Sequence, residues 1–269
     1  MNILDKIIAD KKVEVAQKKK LIPETFLRSR DEFEKECASL KYSLLEKDAT
    51  GIIAEFKRKS PSKGWINKKA DVFDIVTGYK IHGASGISIL TDEIYFGGTL
   101  DDLLNARILP DGPILRKDFI IDEYQVIESK AWGADVILLI AACLTPPEVK
   151  RLAGFAKKAG LEVLLELHDE NELDHICDEV DIVGVNNRNL KTFEVDIERS
   201  LKMAEKIPGD KIKIAESGIN SVDDILLFRQ NGFKGFLIGE LFMKEEDPGV
   251  AFAEFVNALQ LIPPHAEGF

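Results

Sequence analysis

The sequence predicts a (β/α)8 barrel, and two observations carry that prediction: an eightfold recurrence of short apolar β-type runs, and a helix-like stretch after each of them. The runs are GIIAEF, GISIL, PILR, ADVILLI, LEVLLEL, DIVGVN, KIKIAES and GFLIG, starting at Gly51, Gly86, Pro113, Ala134, Leu161, Asp181, Lys211 and Gly235. They recur every 20 to 35 residues, the length of a strand, a loop and a helix. The runs are almost continuously apolar, as parallel strands covered on both faces must be. Intervening segments such as PPEVKRLAGFAKKAG have the apolar spacing of amphipathic helices. Gly133, Gly160 and Gly232 stand where helices should end. An open doubly wound sheet shares this alternation and is the competing architecture.

Ahead of the repeat, Ile3, Leu4, Ile7 and Ile8 fall at helical spacing with Val13 further on, which predicts an amphipathic helix laid against the body. Its lysines are expected to form a solvated face. Pro23 interrupts the pattern and DEFEKECASL resumes it, so residues 1–45 read as a helical extension suited to covering one barrel face. Residues 51–260 then form the barrel, and IPPHAEGF is a short tail. No Ser- or Pro-rich linker divides the chain, so residues 1–269 are expected to be a single domain, in keeping with barrels of roughly 250 residues.

A composition of 45% hydrophobic and 31% charged residues fits a globular protein with a sizeable core. The formal charge of −11 opposes general attraction to nucleic acid or to anionic membranes, so neither is an expected partner, and an anionic substrate needs local positive groups. Cys37, Cys143 and Cys177 are widely spaced with no CxxC pair and read as small packing residues. His82, His168, His175 and His265 show no metal-ligand spacing, and no GxGxxG or P-loop pattern occurs; no metal and no cofactor are expected. The N-terminus lacks the apolar stretch of a signal peptide or a membrane span, which makes the cytoplasm the expected location.

In a parallel barrel the active site lies at the carboxyl ends of the strands, so the polar residues that finish each run are the candidates. Strand one ends in Glu55 and Lys57, strand three in Arg116 and Lys117, strand five in Glu166, strand six in Asn186 and Arg188, and strand seven in Glu216 and Ser217. Glu55 and Lys57, two apart, project to one face while Phe56 points the other way. Any one of these charges is readily a solvated strand end or a structural ion pair. Several inside one mouth must pair or line a polar cavity, because isolated buried charge is costly. Gly218 and Gly239, in AESGI and LIGE, place backbone N–H groups after strands seven and eight, where barrels commonly bind phosphate. Ser60 adds a hydroxyl, and Lys57, Arg58, Lys59 and Lys63 offset the acidic net charge locally. His168 reads as a loop or capping residue.

Together, IIAEFKRKSPSKG, ILRKDFIID, LLELHDENEL, VGVNNRNLKTF, IAESGI and FLIGE resemble the indole-3-glycerol phosphate synthase family of tryptophan biosynthesis, and the LDKIIADKKVEV helix resembles the extension that this family adds to its barrel. The resemblance implies a small, phosphorylated substrate, 1-(2-carboxyphenylamino)-1-deoxyribulose 5-phosphate, closed to indole-3-glycerol phosphate with loss of carbon dioxide and water. It implies Lys117 as the general acid and Lys57 and Glu166 as the partners in later proton transfers. Glu55 would position Lys57, Asn186 would hydrogen-bond the substrate, and Glu216 with Ser217 would complete the polar wall. Arg188 would meet the anthranilate carboxylate, and Pro61, Phe96, Phe119 and Leu190 would enclose the aryl ring. Ser60, Gly218, Gly239 and Glu240 would surround the phosphate. Glu240 departs from the small hydroxyl residue that many relatives carry there, and a backbone N–H still serves where the carboxylate turns outward. Two alternatives stand beside this one: a phosphoribosylanthranilate isomerase-like barrel, which would need a strand-one cysteine, and a phosphosugar-binding barrel without turnover.

Overall fold

The computed structural model describes residues 3–108, 112–188 and 194–262. Eight parallel strands form its centre: β1 (Ile52–Phe56), β2 (Gly86–Leu90), β3 (Ile114–Lys117), β4 (Val136–Ile140), β5 (Glu162–Leu167), β6 (Ile182–Asn186), β7 (Ile212–Glu216) and β8 (Gly235–Ile238). Each pairs with its neighbours in sequence, and β8 pairs with β1 to close the ring. That closing pair excludes the open sheet. The strands begin within two residues of the predicted starts.

Side-chain alternation divides the strands into two apolar layers. Ile53, Leu115, Leu138, Leu164, Ile182 and Ile214 pack inside the barrel. Ile52, Ile89, Leu139, Val163, Val183 and Phe236 pack outward against the helices. The main helical cover comprises α5 (Val72–Ile81), α6 (Glu93–Phe96), α7 (Leu100–Ala106), α8 (Glu123–Ala131), α9 (Pro146–Lys158), α10 (Ile197–Ala204), α11 (Val222–Gln230), α12 (Glu240–Met243) and α13 (Pro248–Gln260). Asp71, Thr99, Asp122, Ser221 and Asp247 cap their helices by accepting a first-turn N–H, which fixes where each helix starts. Gly133, Gly160 and Gly232 end helices or their turns at positive φ, as predicted. After β5 the expected helix is replaced by a short 3-10 segment, Glu170–His175, because the connection is brief and Asp169 and Glu172 cap it reciprocally.

The extension holds α1 (Ile3–Leu21), α2 (Glu24–Arg28), α3 (Asp31–Glu34) and α4 (Leu40–Leu45), and it reaches both ends of the barrel. Leu40 and Leu44 of α4 join the inner apolar layer near the strand starts, where Gly86 and Gly235 leave room for them. Ile7 of α1 joins the same layer from the other end. The buried stripe of α1 runs through Ile7, Lys11 and Val15, and Val13 is 58% exposed. The expectation that the lysines of α1 are solvated therefore fails at Lys11. Its ammonium is buried among Glu14 at 2.7 Å, Asp92 at 2.9 Å and Asp118 at 3.0 Å, because the acidic residues that follow β2 and β3 face this side of the helix. Among the described residues no helix is long and apolar enough to cross a membrane.

Candidate active site

Inward alternation brings Glu55 of β1, Lys117 of β3, Glu166 of β5, Asn186 of β6 and Glu216 of β7 to the carboxyl ends of their strands around one cavity of about 440 Å³. On either side of β3, β2 and β4 contribute Leu90, Leu138 and Ile140. The Lys117 ammonium thus reaches the carboxylates from between two apolar strand ends.

Lys117 Nζ sits between two carboxylates, 2.5 Å from Glu166 Oε2 and 3.0 Å from Glu216 Oε2. Asn186 Nδ2 donates to Glu166 Oε1 at 3.1 Å, and His168 Nε2 lies 2.9 Å from the same oxygen. Gly184 makes this convergence possible. A Cβ there would fall 2.1 Å from Glu216 Oε1, so only glycine between Glu166 and Glu216 leaves space for both carboxylates. Lys57 Nζ pairs with Glu55 Oε1 at 2.8 Å, and Phe56 between them packs outward, as the two-residue spacing predicts. Gly239 is held small for a related reason, since a Cβ would stand 2.7 Å from Glu55 Oε1.

Burial works against the Lys117 ammonium, but Glu166, Glu216 and Glu55 outweigh it and hold the group firmly protonated, above its ordinary value. Burial likewise opposes ionisation of Glu166, yet Lys117 and then His168 hold its carboxyl well below the usual range. At Glu216 the balance falls the other way. Burial pushes its carboxyl up to about 8; Lys117 opposes this and the charge of Glu166 reinforces it. At neutral pH the trio therefore holds one ionised carboxylate, one ammonium and one protonated carboxyl.

This arrangement gives a pH signature. As pH rises past about 8, Glu216 ionises and the trio gains a negative charge that repels an anionic substrate. KM for such a substrate is expected to climb severalfold on that limb, and Glu216→Gln, which keeps a neutral group in place, is expected to flatten it. Identical KM profiles for the two proteins would show that Glu216 is not the titrating group. The same shift has a sign in stability. The folded value exceeds the ordinary 4.5, so the unfolded chain ionises first, and this group's contribution falls as pH climbs from 4.5 towards about 8.

The remaining candidates surround this floor. Arg188 lines the cavity, and its backbone N–H donates to Asn186 Oδ1 at 3.0 Å. Phe96 and Phe119 face each other with ring centroids 6.2 Å apart, and Pro61 stands on the cavity wall with them. Ser60, Gly218, Gly239 and Glu240 line the rim. Leu190 lies outside the described residues. Ser217 has φ of 66° and Gly218 of 71°, so the chain turns sharply as it leaves β7. A left-handed serine is strained by about 1–2 kcal/mol. Ser217→Gly is expected to leave stability unchanged or raise it by up to about 1 kcal/mol, after the entropic cost of glycine, while turnover drops with the lost hydroxyl. Urea midpoints and steady-state rates read the two effects separately, and a clear loss of stability would contradict the strain argument.

Two sequence expectations are corrected here. Arg116, grouped with Lys117 at the end of β3, points out of the barrel and is buried against Asp118 and Glu128, each at 2.9 Å, because neighbouring strand residues face opposite ways. Arg58 grips Asp102 at 2.6 and 2.8 Å and Lys59 donates to the Ile94 carbonyl, so only Lys57 and Lys63 of the basic run line the cavity. His168 lies in the loop just past β5, as read from the sequence, and its ring stands beside Glu166. The sequence reading also missed Ile3, Leu4 and Ile7 of α1, which line the mouth. Their helical spacing was visible, but nothing local specifies where a helix docks. Among the described residues no group of His, Cys, Asp or Glu is arranged to hold a metal ion.

Fold and mouth together define a (β/α)8 barrel with a buried trio of ionisable groups, Lys117, Glu166 and Glu216, at the strand ends. The family model described as indole-3-glycerol phosphate synthase matches residues 4–255. An indole-3-glycerol phosphate synthase of Bacteroides thetaiotaomicron is 48% identical over 96% of this chain and 99% of its own length. One from a Polaromonas species is 43% identical over 94% and 97%. The chain belongs to the indole-3-glycerol phosphate synthase family, carboxy-lyases of tryptophan biosynthesis. More distant solved structures share the barrel alone. A chain of the Pyrococcus furiosus tryptophan synthase complex matches with a TM-score of 0.59 at 15% identity, covering 79% of this chain and 98% of its own. The 3-hexulose-6-phosphate synthase of Salmonella typhimurium matches with 0.61 at 12%, covering 78% and 99%.

Proposed function

We propose that this mouth closes the ring of 1-(2-carboxyphenylamino)-1-deoxyribulose 5-phosphate, with Lys117 as the acid that starts the reaction. The observation that carries the assignment is the Lys117 ammonium held between Glu166 and Glu216 on the floor of the cavity. The aryl ring belongs against Phe96, Phe119, Pro61 and the first turns of α1, with its carboxylate towards Arg188. The phosphate belongs at the opposite rim, among Ser60, Ser217, Gly218, Gly239 and the backbone of Glu240.

The ring carbon that bears the carboxylate attacks the sugar carbonyl, and the carbonyl π electrons move onto oxygen. An ammonium whose proton is held this firmly matches the basicity of the developing alkoxide, so Lys117 delivers its proton as that charge appears. Carbon dioxide then leaves, and the electrons of its bond restore the aromatic ring. The hydroxyl departs as water after protonation by Lys57, driven by the nitrogen lone pair, and a proton is lost from the adjacent ring carbon. Glu166 takes that proton. Discharge of Lys117 removes the cation that depresses the Glu166 carboxyl, so the base strengthens after the acid has acted. Glu55 orients Lys57, and Asn186 orients Glu166.

A phosphoribosylanthranilate isomerase reading is disfavoured by β1, which brings Glu55 and Lys57 and no cysteine to the cavity. The three cysteines, all free, suit a reducing cytoplasm. The assay is direct: the purified protein is given this substrate and followed for indole fluorescence and released carbon dioxide. Equal amounts of both are expected, and a folded protein that yields neither overturns the assignment.

A further inference from the structure

Glu240 and Lys63 meet across the seam where the barrel closes. Lys63 stands at the turn of a small hairpin, Lys59–Ser60 with Gly64–Trp65, that follows β1, and its Nζ pairs with Glu240 Oε1 just beyond the end of β8. Both residues line the active-site cavity. Their side chains are 55% and 33% exposed, and an ion pair that open to water adds little to stability. What it does is put a carboxylate into the positive field of the rim. Burial opposes ionisation of Glu240, but Lys63 first, and then Lys57 and Arg188, hold its carboxyl below the ordinary range.

We propose that Glu240 is a resident stand-in anion: in the ligand-free enzyme it occupies the Lys63 ammonium, and the substrate's phosphate takes Lys63 over by displacing it. The proposal rests on the phosphate site assigned above and adds Lys63 to it as a ligand that has to be won from a competitor. A phosphate monoester carries nearly two charges and three acceptor oxygens against one charge on the carboxylate, so the exchange favours phosphate. Like-charge repulsion then drives Glu240 out of the rim. An analogue of the substrate without phosphate lacks the charge to win this exchange, which makes the pair a specificity device.

The test is a double-mutant cycle on binding of inorganic phosphate, measured by calorimetry and by competitive inhibition of the full-length enzyme. Glu240→Gln is expected to tighten phosphate binding by about three- to fivefold, the scale of a partly exposed ion pair. Lys63→Met is expected to weaken it, and in that background Glu240→Gln should gain less than about twofold. An unchanged affinity in Glu240→Gln overturns the proposal. So does an equal gain in both backgrounds, which would mean that Glu240 repels phosphate without acting through Lys63. If the wild type itself shows no phosphate binding while it melts cooperatively, the phosphate site falls, and the exchange with it.

Discussion

Lys117→Ala is expected to lower kcat/KM by about a thousandfold or more in the indole-fluorescence assay, with a cooperative melt retained. Loss of a positioned general acid alone costs about 10²- to 10⁴-fold. Here the loss spreads further, because Lys117, 2.5 Å from Glu166 and 3.0 Å from Glu216, is the cation that keeps the Glu166 carboxyl ionised. Without it nothing fixes the proton of the pair on Glu216, and the two buried carboxyls share it. Glu166 then loses the ionised form that serves as base, so one substitution disables both the acid and the proton acceptor. A variant with turnover within about tenfold of the wild type would contradict the assignment.

The second large effect lies outside the cavity. Lys11→Met is expected to destabilise the fold by about 3–5 kcal/mol in urea denaturation, because it removes the cation at the centre of a buried ionic cluster and leaves the Asp92 carboxylate buried without its ion partner. Asp92 and Asp118 are buried, and Lys11 is the link that ties both to α1. Asp118 keeps Thr91 at 2.6 Å and Arg116 at 2.9 Å, so its loss is buffered; Asp92 keeps its role as the cap of α6. Detachment of α1 should also expose it to proteolysis and slow turnover, since Ile3, Leu4 and Ile7 leave the mouth with it. The cluster raises the Lys11 ammonium: burial opposes this, but Asp118, Asp92 and Glu14 prevail. It lowers the Asp118 carboxyl, where burial is outweighed by Lys11 and Arg116. The Lys11 contribution is full below its ordinary 10.5 and the Asp118 contribution is full above its ordinary 3.8, so the deficit of the variant should be constant between those values and shrink outside them. A deficit below about 1 kcal/mol would show that the carboxylates find other donors.

The contrast between these two lysines shows what the sequence makes legible. Lys117, Glu166 and Glu216 stand at the ends of apolar runs, and a barrel sends every such end to one mouth, so topology converts a one-dimensional position into a shared site. Glu55 and Lys57 could be placed on one face because strand alternation is strictly local. The same alternation separates Arg116 from Lys117, and it is unreadable until the strand's register is known. Lys11 was harder still. It sits at helical spacing with Ile7 and Val15, but a lysine within an apolar stripe reads as solvated until Asp92 and Asp118, far along the chain, are brought over it. Arg58, next to Lys57, was equally opaque, since its partner Asp102 belongs to a different barrel unit. Gly184 carried no signal at all: its reason is the carboxylate of Glu216 on the neighbouring strand.

The role proposed for Lys117 is to give up a proton, beyond holding a positive charge. Lys117→Ala opens space in the floor that a small amine can enter, so its turnover should be measured with added ethylammonium and, separately, with tetramethylammonium. Ethylammonium is expected to restore turnover in a saturable manner, and tetramethylammonium, which has the charge but no proton, is expected to restore none. Equal rescue by both ions would contradict the claim and leave Lys117 as an electrostatic group alone.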